Sequence, residues 1–144
     1  MKFTNPETPI NAKEIASIET SLGFTFPSPV PRLYISTNGG NPEPYVFENE
    51  HVDTVVTEFL PLKSGRKGTA LKSYDRLVFK MKLAPQYFFP FAIDGGGDYF
   101  FVDCSIREGA IYFYRSNSAD GHPLLNLDLD FDQFWSSLKD EKPE

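Results

Sequence analysis

Asp94 and Asp98 stand four residues apart across Gly95-Gly96-Gly97, and Asp103 follows one short apolar stretch later. Carboxylates around a flexible backbone could offer oxygen ligands to a hard cation, and a run of glycine amides could cradle an anion. Glu43, Glu48, Glu50, Asp53 and Glu58 gather in a second stretch, where a pair of carboxylates could act on a glycosidic bond. Cys104, His51 and His122 are the residues from which a nucleophile and its base would be drawn.

Context weakens each of these chemistries. The Asp94–Asp98 spacing lacks the alternating ligands and distal Glu of a calcium-binding loop. The glycines lead into Tyr99-Phe100-Phe101-Val102, a strand pattern. A phosphate loop needs a helix N-terminus there, followed by Lys-Ser or Lys-Thr. Flanking carboxylates would repel phosphate as well. The simpler expectation is a hairpin whose aspartates brace the turn through side chain to backbone hydrogen bonds. Three adjacent glycines are costly to order, so the run needs positive φ at a tight reversal or a close approach to its backbone. No pair within the Glu43–Glu58 stretch is marked as buried, and a solvated strand edge accounts for the charges. Cys104 has no local nucleophile signature and reads as a small buried hydrophobe. No catalytic residue, metal ligand set or cofactor motif is therefore assigned.

The elements that position these residues are signalled locally. Asn11 with Glu14 makes a capping-box pattern, Ile15, Ile18 and Leu22 recur at helical spacing, and Gly23 stands at the stop. Near the other end, Asp130 and Gln133 repeat the box ahead of the stripe Phe131, Phe134, Trp135 and Leu138. Pro27, Pro29 and Pro31 delay a short helix to about Pro31–Thr37, closed by Asn38-Gly39-Gly40. Tyr45–Phe47 and Val52–Leu62 read as strands, Ser64–Gly68 as a mobile polar loop, and Thr69–Phe79 as a helix burying Leu71, Tyr74, Leu77 and Val78. Strands follow at Phe88–Ile93, Tyr99–Asp103 and Ala110–Arg115, then a loop at Ser116–Pro123. Lys139–Glu144 is a frayed tail. Helices at both ends with consecutive strands between predict one α+β domain over residues 1–144, with an antiparallel sheet.

Composition narrows the partners. The chain has 144 residues, is 40% hydrophobic, contains 14 Phe and carries a net charge of −6. That balance argues against direct nucleic-acid binding, which needs clustered Lys and Arg, and would suit a basic protein partner; mild acidity also aids solubility. A single cysteine permits no internal disulfide and fits a reducing compartment. The N-terminus lacks a signal-peptide core and no apolar stretch is long enough to span a membrane, so a cytoplasmic protein is expected.

Several motifs, in order, resemble the SUKH superfamily, which includes Smi/Knr-type cell-wall regulators and bacterial toxin-immunity proteins. Ile15-Ala16-Ser17-Ile18-Glu19-Thr20-Ser21-Leu22-Gly23 is similar to its first helix, Asn38-Gly39-Gly40 to its N-G-G, and Pro90-Phe91-Ala92-Ile93-Asp94-Gly95-Gly96-Gly97-Asp98 to its strand-to-turn motif. Leu129-Asp130-Phe131-Asp132-Gln133-Phe134-Trp135-Ser136-Ser137-Leu138 resembles its closing helix, with Asp130 in place of the common Ser, and the Phe26–Pro31 hook is richer in proline than usual. The resemblance implies a curved, mostly antiparallel sheet with an N-terminal helix pair, a middle helix and a C-terminal helix packed on one side. It further implies a non-enzymatic module that binds and neutralises a cognate toxin, such as a nuclease. The alternative is a regulatory scaffold binding an endogenous partner. The partner-binding residues expected are Asp94, Asp98, Tyr99, Glu43, Glu48, Glu50, Asp53 and Glu58.

Overall fold

The computed structural model describes residues 1–65, 68–116, 118 and 121–141. Arg66 and Lys67 of the expected mobile loop, Asn117, Ala119 and Asp120 of the Ser116–Pro123 loop, and residues 142–144 of the tail lie outside them. In chain order the elements are β1 (Lys2–Thr4), α1 (Ala12–Leu22), α2 (Pro29–Ser36), β2 (Asn41–Glu43), β3 (Val46–Glu48), β4 (Asp53–Phe59), α3 (Ala70–Tyr74), β5 (Phe88–Asp94), β6 (Tyr99–Asp103), β7 (Ala110–Tyr114), β8 (Leu124–Asp130) and α4 (Phe131–Ser137).

Both expected capping boxes form. Asn11 Oδ1 accepts from the Glu14 amide at 2.9 Å, and Asp130 Oδ1 accepts from the Gln133 amide at 2.8 Å; each third residue reaches back to the cap amide. Helix α2 begins at Pro29, two residues before the expected Pro31. The prolines do not delay it, because the first turn of a helix leaves its amides unpaired and Pro lacks only that amide. Beyond α3 the backbone widens into a π-helical stretch over Asp75–Lys80, where the Met81 amide donates to Arg76 O at 2.9 Å. Across α3 and this stretch Tyr74, Leu77 and Val78 are buried, as the spacing predicts, while Leu71 is half-buried.

Strands β3 to β8 form one antiparallel meander in sequence order, curled into a half-barrel, while β1 and β2 make a separate two-stranded ribbon. Strand alternation sends Phe100 and Val102 of β6 and Phe89 and Phe91 of β5 into the hollow. There α4 meets them: Phe134 lies 4.9 Å from Phe100, 5.2 Å from Phe47 and 5.4 Å from Phe91, ring centre to ring centre. Phe26 packs on Phe89, Tyr34 on Phe59, and Tyr74 on both Phe24 and Phe89, so the hook after α1, with α2 and α3, joins α4 on the core, to which α1 adds Ile15, Ile18 and Leu22.

Three strands were not anticipated. β1 and β2 have three residues each, too few to show alternation, and β2 contains Pro42. β8 has its alternation broken at Asp128, which adopts φ 60 where the register with β7 slips. The tail is also better ordered than expected as far as Glu141. Lys139 exchanges two backbone hydrogen bonds with Val46 and ion-pairs with Glu48, covering the free edge of β3.

Asn38-Gly39-Gly40 does more than stop α2. The Asn38 side chain, 2% exposed, accepts from the Leu62 amide at 2.9 Å and donates to Thr8 O at 2.8 Å and Lys63 O at 3.1 Å. One amide thus ties the N-terminal segment to the chain leaving β4. Gly39, at φ 80, lets the backbone press against Pro61; a Cβ there would lie 2.6 Å from Pro61 N.

Candidate functional site

The acidic residues of the second stretch sort into two places. Glu43 closes β2, and Glu48 of β3 lies directly opposite Asp53 of β4. These three side chains are exposed and line two adjoining grooves. One groove, of about 480 Å³, runs along Pro42-Glu43-Pro44-Tyr45. The other, of about 440 Å³, runs between Glu48, Asp53 and the C-terminal segment. Val55 and Asp140 line both. Glu141 completes the wall, and Lys139 is the one cation among the described lining residues, already paired with Glu48. Tyr45 stands in the middle, 37% exposed, with its hydroxyl donating to Glu141 at 2.9 Å. That bond and the charge of Glu141, with Asp140 behind it, push the Tyr45 phenol above its ordinary range. The site is therefore a negative, open surface with an aromatic centre. Tyr45, Val55, Asp140 and Glu141 escaped the sequence reading. The place of Tyr45 between Glu43 and Glu48 was the available signal for the first.

Glu50 and Glu58 sit elsewhere. Glu58 is half-buried on β4 opposite Ile93, and its charge is felt by Tyr34, whose phenol is raised first by burial, then by Cys104 and Glu58. Glu50 lies in the β3–β4 turn beside His51. His51 Nε2 is 2.7 Å from Asp128 Oδ2 and 3.6 Å from Glu50 Oε1. Asn49 shapes that turn by accepting from the His51 and Val52 amides, and it donates to Leu127 O. Together these bonds fasten the β3–β4 turn to β8, the far edge of the sheet, and hold the curl shut.

The glycine turn is a three-residue hairpin loop: Asp94 N–H donates to Asp98 O, Gly97 N–H donates to Asp94 O, and Gly97 takes φ 88. Asp94 is its brace. Oδ1 accepts from the Gly96 and Asp98 amides at 3.0 and 2.8 Å, and Oδ2 accepts from Thr54 Oγ1 at 2.9 Å. With 8% exposure and its lone pairs engaged, Asp94 organises the turn from inside it. Asp98 is half-buried and accepts from the Ser116 amide. Tyr99, also half-buried, faces the convex side of the sheet, where it accepts from Arg76 Nη2 at 2.7 Å under the guanidinium. The turn adjoins the acidic groove through Thr54 and Thr57, which line it and donate to Asp94, and through Gly95, whose amide donates to Val55 O and whose Cβ position lies 2.9 Å from Val55 Cγ2.

The three glycines thus have different reasons, and substitution should separate them. Gly97→Ala should cost about 1–2 kcal/mol because Ala resists the left-handed backbone. Gly96→Ala, which meets only Asp94 carboxylate oxygens beyond 3.5 Å, should stay within about 0.5 kcal/mol of the parent. Urea denaturation of the two variants checks the ordering; equal losses would contradict it.

Cys104 is half-buried at the end of β6, its thiol 3.7 Å from Val102 O. Burial, with Asp103 and Glu19 adding to it, pushes the thiol far above its ordinary range. A protonated thiol is a poor nucleophile. Native protein should accordingly resist iodoacetamide at neutral pH, with labelling appearing on unfolding; mass spectrometry of the native reaction would reveal rapid alkylation if the thiol were activated.

The described residues include no helix long and apolar enough to cross a membrane. No curated protein matches the chain significantly. A model of the SMI1 / KNR4 family (SUKH-1) matches residues 9–139, which takes in both capped helices, Asn38-Gly39-Gly40, the glycine turn and most of the acidic groove. The chain belongs to the SMI1/KNR4 (SUKH-1) family.

Proposed function

We propose that this protein is a non-enzymatic binding module of the immunity type, which neutralises a cognate toxin by covering its active surface with the acidic groove of β2, β3 and β4. The observation that carries the reading is the groove itself. Glu43, Glu48, Asp53, Asp140 and Glu141 surround Tyr45 on an open surface, with one cation already paired. Family membership supports a binding role. Negative potential around an aromatic anchor suits a basic partner such as a nuclease, because complementary charge speeds encounter and aromatic anchors tend to dominate interface energetics. The carboxylates stand in water, which favours recognition over the tuned acidity of a buried catalytic pair.

Co-expression with the product of the neighbouring gene, assayed for toxicity, tests this. The parent chain should protect growth. The variant Glu43→Lys/Asp53→Lys/Glu141→Lys should fold with little change in Tm, since these charges are exposed. It should nonetheless lose protection, with affinity falling about 100-fold or more. Protection that survives the triple variant would remove the groove from the reading. A parent chain that ignores its neighbour but binds an endogenous protein through the groove would instead support the regulatory scaffold.

A further inference from the structure

The chain's charge is unevenly distributed. Residues 72–87 hold Lys72, Arg76, Lys80 and Lys82 against a single Asp75, within a protein of net charge −6. The same stretch exposes Phe79 at 50%, Met81 at 55% and Tyr87 at 43%, three of the seven large apolar side chains left in solvent among the described residues. Large apolar side chains exposed beside a concentration of like charge are candidates for an interaction site.

The π-helical stretch sets this surface out. Arg76 is held on Tyr99 by the hydrogen bond and ring contact already described. Among the described residues Lys80 pairs with Asp75, at 3.1 Å on an exposed face, a contact of little energy. Phe79 stands edge-on to the buried Tyr74. Beside it, Val78, Phe79, Lys82, Ala84 and Gln86 line a groove of about 250 Å³ that shares no lining residue with the acidic groove.

We propose that this face is a second docking surface, which takes an acidic peptide segment carrying aromatic or aliphatic side chains. The carboxylates of the segment would meet Arg76, Lys80 and Lys82, and an apolar side chain would enter the groove beside Phe79. Charge complementarity selects the occupant. Lys82 lines the groove, and Arg76 and Lys80 lie one turn apart on the same π-helical stretch. This charge matches a short acidic segment, whereas the field of a net-negative protein opposes long polyanions and anionic bilayers. The proposal stands apart from the acidic groove and would survive its failure.

The test is fluorescence anisotropy with a short labelled peptide of aspartates and glutamates that carries one phenylalanine and one leucine. Saturable binding with a Kd below about 100 µM is expected, weakening as salt rises from about 50 to about 300 mM. Phe79→Ser and Lys82→Glu should each raise the Kd at least tenfold, and a peptide lacking the two apolar residues should bind more weakly. Thermal unfolding confirms that each variant is folded, and Lys82→Glu alone carries the test if Phe79→Ser is not. Absent saturation, variants that bind like the parent, or preference for phosphatidylserine vesicles or single-stranded DNA over the peptide would each overturn the proposal.

Discussion

Gly39→Ala should destabilise the protein by roughly 3–5 kcal/mol and lower Tm by about 10 °C or more. Two independent costs combine at this position. The backbone sits at φ 80, where an L side chain crowds its own carbonyl. An added Cβ would also lie 2.6 Å from Pro61 N, 2.7 Å from Pro61 Cα and 2.9 Å from Phe59 O. All three are backbone atoms, and the chain there cannot retreat, because Asn38 already holds Leu62 and Lys63 in place. Gly65→Ala is the matched control: a Cβ at Gly65 meets nothing within 4 Å, so the change should stay within about 0.5 kcal/mol. Equal stability of the two variants by urea denaturation would mean that the close approach is not needed.

Phe134→Ala should cost about 3–5 kcal/mol. Its ring is fully buried, and removing it would strip contacts from Phe47 at the edge of the sheet, from Phe91 and Phe100 at its centre, and from Trp135 on the same helix. Because these neighbours belong to separate elements, no single shift closes the cavity. Phe79→Ala provides the contrast. That ring is half in solvent, and its loss should cost under about 1 kcal/mol. Comparable losses would show that the core is not organised around the α4 stripe.

What was legible in the sequence was what is decided within a few residues. The capping boxes at Asn11 and Asp130 are local hydrogen-bond patterns, and both form. The glycine turn was recognisable because its aspartate, its glycines and its flanking strands are contiguous, and the expected side chain to backbone brace is present at Asp94. What depends on distant partners was hidden. Asn38 looks like a helix stop until residues 8, 62 and 63 arrive around it. β8 loses its alternation to the bulge at Asp128, which is set by pairing with β7 and by His51. Asp94 was expected on an exposed rim, yet Thr54, forty residues earlier, takes up its second oxygen. Asp140 and Glu141 read as part of a frayed tail because nothing nearby shows that Lys139 pairs with Val46 and delivers them to the groove.

The glycine turn and the acidic groove meet at Val55, so the motif that most resembles the family lies against the surface proposed to bind. This arrangement gives Gly95→Ala a specific consequence: the added methyl would press on Val55 and disturb the groove wall. The proposed binding role is tested most directly by hydrogen–deuterium exchange of the chain with and without the product of the neighbouring gene. Protection should concentrate on residues 42–46, 53–57 and 139–141, leaving the α1 amides unchanged. Protection confined to α1 or to the β6–β7 hairpin, with the groove exchanging as in the free protein, would contradict the account.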